Sequence, residues 1–124
     1  MAIRVFSTEG GVQLPLISRD ARLIVWPGTG AETANMNYVV LEPGEANDVH
    51  SHRESEDTIV VLEGAGSVHD VTNDVVHEVR GGQVIHVPVG VVHAVRADRG
   101  SRMVSIGGPC PADRHLLRAV GAID

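Results

Sequence analysis

The residues best suited to chemistry in this chain are histidines and acids. Seven histidines occur in 124 residues. Two of them stand one residue apart in "VHSHRESEDTIVVLEG" (49–64), followed closely by Glu54, Glu56 and Asp57. Imidazole and carboxylate together suit Zn, Fe, Mn, Ni or Cu. On a strand, residues i and i+2 share a face, so His50 and His52 point the same way. The competing reading is a solvent-facing polar turn, and for the pair taken alone it is the stronger one. No Gly-rich phosphate loop followed by Lys is present, and no serine nucleophile elbow can be argued.

The elements that must position these side chains read as short strands. "ARLIVW" (21–26), "MNYVVLE" (36–42) and "DTIVVLE" (57–63) are each closed by a Gly-containing turn. "SVHDV" and "VVHEV" flank "TND" as a hairpin, and 83–88, 91–97 and 102–108 complete the set. About eight short strands with brief links and no intervening helical pattern predict an all-β sandwich or closed barrel in a single domain, 1–124, with its core over about 20–108. The tail changes character. Pro111 suits a first helical turn and Gly121 a helix end, which predicts a short C-terminal helix over about 111–121 with Leu116, Leu117 and Val120 on its apolar side.

Composition narrows the function classes. Aromatics are limited to Phe6, Trp26 and Tyr38, so Val, Ile, Leu and Met must build the core. The net charge of -6 without a Lys/Arg cluster argues against nucleic acid and anionic membrane as partners. No apolar run approaches a membrane span and no signal-peptide core opens the chain. One cysteine, Cys110, excludes an internal disulfide and fits a cytoplasmic location.

Two longer patterns carry a resemblance. Gly44, five residues, His50-x-His52, four residues, Asp57, six residues and Gly64 form "GEANDVHSHRESEDTIVVLEG". Downstream, Gly82, five residues, Pro88-x-Gly90, two residues and His93 form "GQVIHVPVGVVH". In this order and separation they resemble the two motifs of the cupin superfamily. Two departures stand out: Asp57 replaces the family's usual Glu, and Ala97 replaces the Asn that closes its second motif.

The resemblance implies a jelly-roll β-barrel, often paired as a homodimer. It implies a metal held by His50, His52, Asp57 and His93, with Fe, Mn, Ni or Zn as the ion. Glu56 is the alternative acid, and a three-histidine site with Asp57 behind it is a further arrangement. Activities found on this scaffold imply a metal-dependent enzyme acting on a small organic substrate. Non-haem dioxygenase or oxidoreductase chemistry comes first, then isomerase, cyclase or lyase chemistry. A non-catalytic small-ligand-binding module is the competing class.

The remaining candidates each have a plainer reading. Met36 and Tyr38 share a strand face and serve either as core or as pocket wall. His86 sits two residues before Pro88 and faces either the barrel interior or solvent. His69, His77 and His115 read as exposed or structural, as do Arg80 and Arg96 at a solvated rim.

Overall fold

A computed structural model describes residues 2–119 and 121–123. Valine-rich alternating segments separated by turn residues form strands β1 (Val12–Gln13), β2 (Asp20–Val25), β3 (Met36–Leu41), β4 (Glu56–Glu63), β5 (Ala65–Asp70), β6 (Val75–Arg80), β7 (Val84–Val87), β8 (His93–Ala97) and β9 (Met103–Cys110). A 3-10 turn covers Pro27–Thr29, and one helix, α1, covers Arg114–Ala119. The all-β expectation therefore holds. The eight expected strands are present, and β1 is added to them.

The strands make two antiparallel sheets, a six-stranded one ordered β1-β2-β3-β9-β4-β7 and a three-stranded one ordered β6-β5-β8. The segment before β4 extends the smaller sheet through isolated bridges, Ala46 to Arg96 and His50 to His93. The inner faces enclose Leu41, Val61, Val68, Ile85, Val87, Val95, Ala97 and Met103. A second apolar cluster at one end joins Leu14, Ala21, Leu23 and Trp26 to Leu117 of α1. Two turns need glycine. At Gly64, φ is +87° and a Cβ would lie 2.1 Å from the Arg102 carbonyl oxygen, so β4 can turn into β5 only without a side chain there. At Gly90, φ is +81° and the N–H donates to the His52 carbonyl at 2.8 Å, bracing the second motif on the first.

The tail helix is shorter than 111–121. It starts at Arg114, after Asp113 accepts the Leu116 N–H at 3.0 Å in a capping contact that Pro111 cannot provide. Gly121 closes it at φ +77°, as expected of a helix end. Leu117 is buried, Leu116 is half-buried, and Val120 lies outside the described residues. A six-residue helix is not stable in isolation. Burial of Leu117, worth about 2 kcal/mol, helps hold it against the barrel. No helix among the described residues is long and apolar enough to cross a membrane.

Candidate metal centre

Three chain segments bring the candidate ligands together. His50 and His93 are directly opposed and exchange both backbone hydrogen bonds, at 3.0 and 2.8 Å. His52 lies beyond that bridge in irregular chain rather than in the regular strand that the His-x-His spacing suggested. Its ring nevertheless packs against its neighbours, with centroids 4.8 Å from His50 and 5.5 Å from His93. On β4 the alternation turns Asp57 inward and Glu56 outward. Ligand atoms from His50, His52, Asp57 and His93 all lie within 4.8 Å of one another, so the group could hold a metal ion.

The fit to a metal rests on what the second ring nitrogens do. Each imidazole has an acceptor at Nδ1: the Asp48 carbonyl for His50 at 2.7 Å, the Asp113 carboxylate for His52 at 2.6 Å, and the Val91 carbonyl for His93 at 2.9 Å. These contacts favour the Nδ1–H tautomer and leave each Nε2 as a lone-pair donor. Asp57 Oδ1 and His93 Nε2 are buried without any hydrogen-bond partner. Buried polar atoms normally find one, and a cation at the cluster would satisfy both. Ligands about 2.1 Å from a shared ion sit up to about 4.2 Å apart, so modest side-chain shifts close the set.

Charge in the metal-free protein follows the same geometry. Burial works against ionised Asp57, but the contact with His52 at 3.2 Å and the attraction of the nearby His52 and His93 rings outweigh it and hold its pKa down to about 2. Burial likewise opposes charge on His52, yet the Asp57 and Asp113 carboxylates prevail and raise its pKa above 6.5. Burial lowers the pKa of His50. The raised His52 pKa stabilises the metal-free fold fully below pH 6.5, and this contribution is lost as pH rises through the folded-state value. A metal must displace the same proton. Zn(II) binding below pH 6.5 is therefore expected to release a proton from His52, and apparent affinity to fall by up to about tenfold per pH unit below the His52 pKa. Calorimetric titration in buffers of different ionisation enthalpy reads this directly, and proton-neutral binding would contradict it.

The cluster opens onto an inner chamber of about 50 Å³. Ile17, Val39, Leu41, Ile59, Val95 and Leu116 supply its apolar wall, and Asn37, Asn47 and Ser105 add neutral polar groups. Met36 and Tyr38 are not part of it. They alternate with Asn37 onto the other face of β3, where the Arg22 guanidinium lies 5.1 Å from the Tyr38 ring centroid. His86 also points away from the cluster and meets outward-facing Glu56 at 2.8 Å. It borders an open groove of about 470 Å³ between β6 and β7, which His93 also lines from the other side of the cluster. Sequence reasoning missed Asn37 and Asp113. The parity of β3 relative to the core would have pointed to Asn37, but nothing local marks Asp113 as a partner of His52.

Comparison with known proteins agrees with this picture. The cupin domain model Cupin_2 matches residues 37–107. Protein SchB of Streptomyces halstedii is 37% identical over 93 residues, which is 73% of this chain and 66% of that protein, just under two thirds of its length. A double-stranded β-helix protein of Klebsiella pneumoniae superposes with a TM-score of 0.69 at 16% identity, over 89% of this chain and 91% of that one. The polyketide cyclase RemF of Streptomyces resistomycificus gives 0.67 at 20% identity, over 90% and 81%. A cupin-like protein of Thermotoga maritima gives 0.66 at 26% identity, over 77% and 69%.

Proposed function

This chain belongs to the cupin domain family, and from that premise we propose that it is a metal-dependent enzyme acting on a small organic substrate inside its barrel. The observation that carries the reading is the anchoring of all three imidazoles at Nδ1, beside an unpaired Asp57 oxygen. His50, His52, His93 and Asp57 would hold Fe, Mn, Ni or Zn. Such an ion supplies Lewis acidity at a substrate oxygen. The chain's own residues do the rest. Asp48, Val91 and Asp113 keep the three rings aimed inward, and the apolar wall excludes water. Asn37 and Ser105 offer neutral hydrogen-bonding groups that orient substrate oxygens.

Within this class we favour ring closure of an enolisable polycarbonyl substrate. The activity named for RemF supports it, and Lewis-acid assistance at a carbonyl suits the donor set. Oxygenation of a diketone or phenol is the second reading, supported by a four-ligand set that leaves coordination positions open to small molecules. Protein loaded with each of the four metals can be incubated with linear polyketones, diketones and phenols while product mass and dissolved oxygen are followed together. Products of unchanged mass, or lighter by one water, are expected without oxygen uptake, and turnover should stop after chelation. Oxygen consumption with heavier products would favour oxygenation. Saturable binding without turnover would favour a binding module. Failure to take up any of the four metals would remove every metal-based reading.

A further inference from the structure

On the α1 side of the metal centre, away from the groove at His93, two spaces share a thin partition. The inner chamber of about 50 Å³ touches His52 and Asp57. An outer cleft of about 200 Å³ is lined by Leu16, Asp48, Ser51, Asp113 and His115. Ile17, Asn47, His50 and Leu116 belong to both. The inner volume holds a few waters at most, whereas pockets for organic ligands usually span about 300–1,000 Å³. From the outer cleft, the way to His52 and Asp57 leads past Ile17 and Leu116. Joined, the spaces approach the lower end of the useful range.

The partition sits on the tail helix. Leu116 belongs to α1, and the carboxylate preceding that helix has two tasks. Asp113 Oδ1 accepts the Leu116 N–H at 3.0 Å, and Oδ2 accepts His52 Nδ1–H at 2.6 Å. The same side chain therefore shapes the start of α1 and holds a ligand ring. Of the three Nδ1 contacts, those of His50 and His93 go to carbonyls two residues away along the chain, and only that of His52 crosses to another element.

We propose that α1 is a lid on the metal chamber, with Leu116 and Ile17 as its gate and Asp113 as the latch that couples its closure to the seating of His52. The inference rests on the metal-dependent reading above. Lid movement admits substrate, and the return of Asp113 to His52 restores the ligand ring to its inward aim. Asp113 acts as a positioning residue through His52.

Metal exchange in the full-length protein tests this without reference to turnover. The Zn(II)-loaded protein is mixed with excess 4-(2-pyridylazo)resorcinol, a chelator too large for the inner chamber, and both removal and re-uptake rates are followed. L116A and I17A are each expected to speed both rates at least tenfold with Kd unchanged within threefold, because a gate alters access and not the ligands. L116M refills the gate and should return the rates to those of the unmodified protein. D113A should instead weaken Kd at least tenfold, and D113N should recover part of that loss because an amide oxygen can still accept from Nδ1–H. If Zn(II) binds stoichiometrically but L116A and I17A both exchange at the unmodified rate, the lid is wrong and the metal site stands. If no Zn(II) binds, the metal reading itself fails and the lid falls with it.

Discussion

His93→Ala is expected to reduce bound metal from about one equivalent to below a tenth and to weaken affinity by more than about a hundredfold. Loss of an outer partner of a ligand already costs about 10–100-fold, and loss of the ligand itself must exceed that. His93 is the most enclosed of the three rings, 1% exposed, with Nδ1 fixed on Val91 and Nε2 unpartnered. The same substitution should cost the metal-free fold some stability without unfolding it. It opens a cavity, which costs stability, but it also removes a buried nitrogen that has no hydrogen bond, which offsets part of that cost. Metal analysis beside a thermal melt of the stripped protein separates ligand loss from unfolding. A variant that still binds one equivalent at unaltered affinity would show that His93 is a packing residue.

Asp57→Asn and Glu56→Gln are expected to behave as opposites. Asp57 is 4% exposed, within reach of His52 and His93 at 3.2 and 3.6 Å, and carries an unpaired oxygen. The amide keeps the volume but removes the one anion inside the chamber. A divalent ion there would be left among neutral ligands in a poorly solvated site, and affinity should fall by about a hundredfold or more. Glu56 faces solvent and pairs with His86 on the outer face. Exposed pairs of this kind are worth about 0–1 kcal/mol, so E56Q should change metal affinity less than twofold. Paired titrations with Zn(II) and Mn(II) read both outcomes. A large loss in E56Q with D57N intact would reverse the assignment of the acid.

Much of this protein could be read along the chain. Strands were visible because each is coded by its own valine-rich alternation and by the glycine and proline turns that bound it. The grouping of His50 and His52 with the later His93 was legible through the resemblance to the two cupin motifs, whose spacing is a local property. Gly64 and Gly90 were legible as motif positions, and their positive φ in the structure gives the reason, since a left-handed turn excludes most other residues.

Tertiary structure decided what depends on segments far apart in sequence. Whether Asp57 or Glu56 turns inward is a matter of parity, and parity has meaning only once β4 is seated between β9 and β7. Parity likewise put Asn37 at the chamber and sent Met36 and Tyr38 to the other face of β3. Asp113 lies 61 positions from His52, and no periodicity connects them. Their contact exists because Leu117 buries itself in a cluster with Leu14, Leu23 and Trp26 and so carries the start of α1 over the barrel. Local sequence thus supplied the candidate ligands. Long-range packing supplied their orientation and the cover over them, because burial of apolar side chains brings distant segments together without regard to their order in the chain.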